Sequence, residues 1–440
     1  MKDNVRKIAY DVLMDIEFNG AYANLALDKA LLRSKLNATD KRLVTELVYG
    51  TTKMKLHLDT VLSAYCDLKH TNKKIILLLR MALYQVLYLE KIPDHAILNE
   101  SVELAKAQAP HTAGFVNAVL RHILRSEKTV SWPDKRRSRN QYYAKWYSFP
   151  QWIIDSWVKE YGFDNTEKLC AYFNEPAATW IRVNTLKASP DDVAAKLEFL
   201  GVDFMQHPQL PEAFKISSLQ PLQNSDLFKK GQVIVQDLSA MLPAVVLNPQ
   251  KNQRILDMCA APGGKTTHLS AIMNDSGEIF ACDIHSHRTG LIEENAKRLG
   301  TKNITCLTED ATALPVQFHH AFDGILLDAP CSGLGVLNRR ADLRWRVRRS
   351  NLAEIEALQA NLLDAAVKYL KPKGTLVYST CTLNPKENTI QVEKFLARHD
   401  AFELEAFTCL GEQHPSGMTT IYPFDSHSDG FFIAKLVRKD

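Results

Sequence analysis

At 440 residues the chain exceeds one ordinary domain, so two or three are expected. An apolar fraction of 46% and a charged fraction of 24% are those of a globular protein and exclude wholesale disorder. A formal net charge of +4 is too small to identify a nucleic-acid partner, so only local clusters can argue for one.

The N-terminus, Met1-Lys-Asp-Asn-Val-Arg6, has no apolar signal core, and no apolar run approaches the ~20 residues of a membrane span. The run Ile75-Ile-Leu-Leu-Leu79 stops at Arg80. The eight cysteines are scattered, with no Cys-x-x-Cys pair, which argues against a metal site or a disulfide framework. The chain therefore reads as cytoplasmic, with reduced thiols, no metal and no membrane partner.

Residues 1 to 128 are expected to be wholly helical. Apolar residues recur at helical spacing in Val5, Ile8, Ala9, Val12, Leu13 and Ile16, and again over 43–48, 56–62, 75–89 and 115–124. Residues 37–40 supply capping side chains, and Pro93 and Pro110 punctuate the pattern. A basic cluster follows: Arg121, Arg125, Lys128, Lys135, Arg136, Arg137 and Arg139, against Glu127 and Asp134. Such runs are more often solvated faces than binding sites, but a second one at 338–349 (Arg339, Arg340, Arg344, Arg346, Arg348, Arg349) argues for a phosphate-tracking surface. Residues 129–145 read as a linker and 146–230 as a small α+β domain. In it, Trp180-Ile-Arg-Val-Asn-Thr-Leu186 is strand-like and 190–200 is a short helix ending at Gly201. From Gly231 to the end, strands alternate with helical segments, which implies an α/β domain with a parallel sheet.

Within that domain, Arg254-Ile-Leu-Asp-Met258 is a short strand. It runs into Cys259-Ala-Ala-Pro-Gly-Gly-Lys-Thr266 and a helix, the usual cradle for a nucleotide-like ligand. A P-loop fails, because Cys259 stands where its first glycine belongs, and G-x-G-x-x-G is absent. Gly277-Glu-Ile-Phe-Ala-Cys-Asp283 is a second strand, ending in an acid where a ribose-binding carboxylate belongs. The expected third and fourth strands, Asn303-Ile-Thr-Cys-Leu-Thr-Glu-Asp310 and Ala321-Phe-Asp-Gly-Ile-Leu-Leu-Asp328, also end in acids. One such acid is usually a helix cap. The series is better explained as a ligand-binding sheet edge.

The fourth strand leads into Asp328-Ala-Pro-Cys331, and a later one, Gly374-Thr-Leu-Val-Tyr-Ser-Thr-Cys381, ends in a second cysteine. Joined by an amphipathic helix, adjacent parallel strands would bring Cys331 and Cys381 together. A cysteine is ordinarily a small core hydrophobe, but this context favours nucleophilic chemistry. Spacing alone does not choose between the two. After residue 400 two last strands are expected, the final one being Gly430-Phe-Phe-Ile-Ala-Lys-Leu436.

Asp40-Lys-Arg-Leu-Val-Thr-Glu-Leu-Val-Tyr-Gly50 and Gly114-Phe-Val-Asn-Ala-Val-Leu-Arg121 resemble helices of the NusB family of RNA-binding factors. Arg182-Val-Asn-Thr185, Gln236-Asp237, Cys259-Ala-Ala-Pro-Gly-Gly-Lys265, Asp328-Ala-Pro-Cys331 and Ser379-Thr-Cys381 resemble the RNA cytosine-C5 methyltransferase (Nol/Nop/Sun) family, over the chain from Arg182 to its end. The resemblance implies a class I, Rossmann-like α/β domain using S-adenosylmethionine (SAM), preceded by an all-α NusB-like domain and a small α+β domain. It further implies that Cys259, Ala260, Ala261, Pro262, Gly263, Gly264 and Lys265 bind SAM, with Asp283 on the ribose and Asp310 by the adenine. Asp328 would lie between cofactor and base, Cys381 would be the nucleophile, and Cys331 would assist product release. Fusion to a NusB-like domain is the arrangement of bacterial enzymes that modify small-subunit ribosomal RNA. The base must then be flipped out or single-stranded. The arginines of 338–349 would meet flanking phosphates, and Trp345 would either stack on a base or anchor a loop. The alternatives are an RNA-binding antitermination factor with a vestigial enzyme fold, methylation of another RNA such as tRNA, and DNA methylation.

Overall fold

The computed structural model describes residues 4–125 and 130–439. Glu127 and Lys128 of the first basic cluster, and the expected boundary at 128, lie outside the described residues. The chain forms two compact units. The first runs to Glu175 and takes in Leu337–Val347; the second comprises Pro176–Val336 and the chain from Arg348 onward.

The first unit is helical: Val5–Phe18, Ala23–Arg33, Ala38–Lys53, Lys55–Leu62, Lys73–Tyr88, Asp94–Gln108, Ala113–Arg125, Arg139–Trp146 and Gln151–Asn174. Asn37 caps the third helix, its Oδ1 accepting from Asp40 N at 2.8 Å, as the capping signal predicts. Lys73–Tyr88 is buried on nearly every side, as befits a central helix. Its Leu78, Leu79 and Leu83 share one core with Leu47, Leu58 and Val116, each contributing roughly 1.5–3 kcal/mol of burial. Arg80, which interrupts the apolar run, is paired with Asp59 through two bonds of 2.6 and 2.8 Å.

The stretch expected to be a linker is instead partly structured. Residues 139–146 form a helix whose Tyr143 is fully buried, and Trp132 packs against His57 and Trp146. The aromatic content of the segment, rather than its charge, sets its state. No helix among the described residues is long and apolar enough to cross a membrane.

The second unit holds two main sheets. The smaller uses β1 (Thr179–Val183), β2 (Phe204–His207), β3 (Leu210–Ile216) and β4 (Val233–Val235), in the order β2-β3-β1-β4. The helix Pro190–Phe199, with Ser189 and Asp192 forming a capping box, covers it and buries Val193 and Leu197. The larger sheet contains β5 (Arg254–Asp257), β6 (Glu278–Cys282), β7 (Ile304–Leu307), β8 (Phe322–Asp328), β9 (Leu370–Thr380) and β10 (Phe402–Leu404). After β10 come the hairpin β11 (Phe407–Cys409) and β12 (Glu412–His414), then β13 (Met418–Ile421) and β14 (Phe431–Arg438). The expectation of two last strands is therefore too few. Turns with positive φ at Gly411 and Gly417 let the chain double back into short strands that a periodicity argument passes over.

The large sheet runs β10-β14-β9-β8-β5-β6-β7, with β13 on β14. Its five strands β7, β6, β5, β8 and β9 are parallel, and β14 returns antiparallel to β9. Buried on both faces, β5 and β8 read as apolar runs (Ile255, Leu256, Ile325, Leu326, Leu327, all fully buried). The strand order reverses between β5 and β8, and ligands bind beyond the carboxyl ends of strands at such a switch point.

Candidate active site

β5 delivers the chain to this switch point. Residues 259–263 then turn sharply, with a cis Ala261–Pro262 peptide and Gly263 at φ 93°, into the helix Gly264–Ile272. A left-handed residue without a side chain is needed here, because a Cβ on Gly263 would stand 3.1 Å from Ile292. The helix carries no side-chain cap, so its first amides are left for a ligand. Two residues that sequence reasoning quoted without a role hold the turn from behind. The buried Arg182 donates to Gly264 O (2.7 Å) and to Thr267 Oγ1 (3.1 Å), and Gln236 accepts from the same guanidinium.

Asp283 lies just past β6, 4% exposed. It pairs with Arg288 (3.1 Å) and accepts from His285 N (3.1 Å), which leaves carboxylate lone pairs for hydroxyl donors. Arg288 also reaches Ala261 O (3.3 Å), tying the acid to the turn. β7 stops at Leu307, so Asp310 is an exposed loop residue rather than a strand end, and its Oδ1 accepts from Thr312 N and Oγ1. Asp257, at the end of β5, is fully buried. Burial lifts its carboxyl to about 7, although Thr266 Oγ1 donates to it at 2.8 Å.

Asp328 ends β8. It receives Lys265 Nζ at 2.6 Å and Ser379 Oγ at 2.9 Å. Burial opposes the Lys265 charge, but Asp328 and Cys381 outweigh it and hold the ammonium above its usual range. β8 and β9 are parallel neighbours, and the loops beyond them bring Cys331 Sγ and Cys381 Sγ to 3.3 Å. Both thiols are half-buried. The hydrogen bond to Cys381 and burial raise the Cys331 thiol well above its ordinary value. Burial, with Asp257 and Asp328 nearby, does the same to Cys259. Both are held as thiols, and a thiol donates but does not attack.

The second arginine cluster behaves otherwise. Residues 337–347 belong to the helical unit, and the phosphate-contact expectation fails for Arg344 and Arg346. Arg344 is fully buried and donates to Lys53 O (3.3 Å), Ser148 O (3.1 Å), Phe173 O (3.3 Å) and Asn174 Oδ1 (3.0 Å), its guanidinium 4.0 Å from the Phe149 ring centre. Arg346 donates to Gly20 O and Ala21 O at 2.9 and 3.0 Å. Trp345 is a loop anchor: its Nε1 donates to Thr52 O at 2.6 Å. Helix-end carbonyls need donors, and these residues supply them. Arg340, Arg348 and Arg349 stay exposed.

A doubly wound sheet with an uncapped Gly-Gly turn at its switch point, acids beyond its strands and a thiol pair at its edge defines a Rossmann-like methyltransferase. Residues 244–437 match the family described as 16S rRNA methyltransferase RsmB/F. Residues 3–125 match the NusB family, and residues 149–223 match the RsmF/B-like ferredoxin-like domain. The "Probable ribosomal RNA small subunit methyltransferase B" of Synechocystis is 38% identical over 98% of this chain and 99% of its own length. The Bacillus subtilis protein of the same description is 35% identical over 100% and 99%. Among solved structures, PH0851 aligns with a TM-score of 0.82 at 26% identity over 99% of both chains. NSun6 from Pyrococcus horikoshii aligns with a TM-score of 0.59 at 28% identity, over 66% of this chain and 99% of that one. The chain belongs to the RsmB/F family of 16S rRNA methyltransferases.

Proposed function

We propose that the protein methylates carbon 5 of a cytosine in small-subunit ribosomal RNA, with Cys381 as covalent nucleophile. The observation that carries this is the 3.3 Å contact of Cys331 and Cys381 beside the Lys265–Asp328 pair, at the switch point. SAM fits the turn: amides of Gly264 and Lys265 suit a carboxylate or sugar, and Asp283 suits ribose hydroxyls. In this reading the turn 259–265 cradles the cofactor and Asp310 borders the adenine. When bound, SAM supplies an electrophilic methyl group.

The chain's own residues do the rest. Carbon 5 of cytosine is a weak nucleophile, and addition of the Cys381 thiolate to carbon 6 makes it enamine-like. Electron density then collects at ring nitrogen N3. A proton shared between Lys265 and Asp328 can be delivered there as a carboxylic acid O–H. After transfer N3 returns its proton to Asp328, a base removes the carbon-5 proton, the carbon 6–sulfur bond breaks, and Cys381 leaves as thiolate. Cys331, held as a thiol at 3.3 Å, donates its S–H to the departing sulfur and so assists release. The NusB-like unit selects the RNA. Removing residues 1–128 would strip Arg344 and Trp345 of Lys53 and Thr52, so point substitutions on its exposed arginines test selection better than truncation.

Labelled methyl transfer from SAM to protein-free small-subunit rRNA, and to the assembled particle, tests the reading in wild type, Cys381→Ala and Cys331→Ala. The expected product is 5-methylcytosine, absent with Cys381→Ala. Loss with Cys331→Ala alone would reverse the two cysteines, and transfer to neither substrate would refute the reading.

A further inference from the structure

Glu387 is a fully buried carboxylate with no part in the chemistry above. Its surroundings are all donors. On the loop after Cys331, Ser332 gives its amide (2.8 Å) and its hydroxyl. On the loop after Cys381, Asn384 Nδ2 reaches it at 2.9 Å, and Thr382 Oγ1 lies at 3.5 Å. Gln359 Nε2 donates to it at 3.1 Å and to Pro330 O, the residue before Cys331, at 2.9 Å.

The protons can be counted. Ser332 has one hydroxyl proton, which goes to Glu387, so its oxygen accepts from Thr382 at 2.8 Å. Thr382 in turn accepts from Asn384 N at 3.3 Å. The donors therefore run from one loop through the other and end on one carboxylate. An ionised carboxylate only accepts, and it satisfies this arrangement with no conflict. The named donors carry no charge. The helix Thr389–Leu396 begins two residues on, and its N-terminal dipole favours an anion at this end. The backbone is pinned as well: Tyr378 OH donates to Glu387 O at 2.6 Å, and Thr380 Oγ1 to Asn388 Oδ1 at 2.6 Å, both from β9.

We propose that Glu387 is a positioning residue that clamps the two cysteine-bearing loops together and so sets the spacing at which Cys331 assists the release of Cys381. The inference rests on the two-cysteine reading above. A shared clamp matters because the Cys331 S–H must meet the Cys381 sulfur as it leaves carbon 6, and a misplacement of about 1 Å can cost roughly 10²-fold in rate.

The test is Glu387→Gln in the full chain, beside the milder Ser332→Ala and Asn384→Ala. Glutamine keeps the shape but sets an NH2 group against a donor on whichever side it points. Two quantities are read. The first is kcat against the KM for SAM. The second is the yield of Cys331–Cys381 disulfide under diamide, which takes up the two thiol protons and two electrons as it becomes the hydrazine. Glu387→Gln is expected to lower kcat by roughly 10²-fold with KM for SAM nearly unchanged, and to lower the disulfide yield. The milder variants should show the same pattern at about a tenth of that effect. A folded Glu387→Gln protein with wild-type kcat and wild-type disulfide yield would overturn the proposal. If that variant does not fold, wild-type values for both Ser332→Ala and Asn384→Ala overturn it equally. The disulfide arm needs no RNA. A wild-type protein that transfers no methyl group therefore refutes the functional reading while the clamp is still judged on its own.

Discussion

The edge of the large sheet and the segment 337–347 are both crowded with reactive or charged side chains, yet they use them in opposite ways. At the sheet edge, Cys331 and Cys381 are half-buried, and their sulfurs meet each other rather than a backbone carbonyl. In 337–347, Arg344, Trp345 and Arg346 point their donors at backbone carbonyls of the helical unit. A functional group at a working site keeps capacity in reserve, whereas a structural one has its capacity filled by its own chain. The same residue types near one another in sequence can fall on either side of that division.

The largest effects should separate the two regions cleanly. Cys381→Ala is expected to lower methyl transfer by roughly 10⁴-fold or more, because the covalent route is lost. Its melting temperature should stay near wild type, since a half-buried thiol contributes little packing. Arg344→Ala should do the reverse. It leaves four backbone and side-chain acceptors without their donor in a buried place, at roughly 3–5 kcal/mol. Thermal unfolding of both variants, followed with a salt titration of RNA binding, decides the matter. Stable Arg344→Ala protein with a weaker salt dependence would put Arg344 back on the RNA and break the comparison.

Much of the sheet edge could be read in advance. β5, β6 and β8 are short apolar runs, their acids fall at or just past the strand ends, and the pairing of β8 with β9 follows from one intervening helix. What could not be read depends on contacts distant in sequence. Arg344 is buried because Lys53, Ser148 and Asn174 converge on it, and no local pattern announces that. Arg182 and Gln236 gain their role from the turn at Gly264 that they support. Glu387 looks like a surface residue in Asn-Pro-Lys-Glu-Asn388, yet it is fully buried. The order within 129–145 is set in the same way, since Trp132 packs on His57, far from it in sequence, and Tyr143 is fully buried.

Asp257 tests the sheet edge through pH. Its folded carboxyl is raised to about 7, above the ~3.9 of an unfolded aspartate. Between those values the folded protein binds more protons than the unfolded one. Its contribution to stability is thus full below ~4 and is lost as pH rises through about 7, up to about 4 kcal/mol in all. Asp257→Asn should flatten that slope, so the variant melts higher than wild type at pH 8 and loses the advantage at pH 5. Parallel melting curves for the two proteins across that range would count against a neutral Asp257.

The smallest effect falls on Trp345, and it distinguishes a loop anchor from a stacking platform. Trp345→Phe keeps an aromatic face but loses the Nε1 donor to Thr52 O. As an anchor, the residue should lose about 1 kcal/mol, the net value of one hydrogen bond plus an unpaired carbonyl. As a platform it should lose almost nothing, because phenylalanine still stacks on a base. A lowered melting temperature with unchanged RNA affinity therefore assigns Trp345 to the helical unit's own packing. An unchanged melting temperature returns it to the RNA, and with it the division between the two regions would have to be drawn on the far side of Arg344.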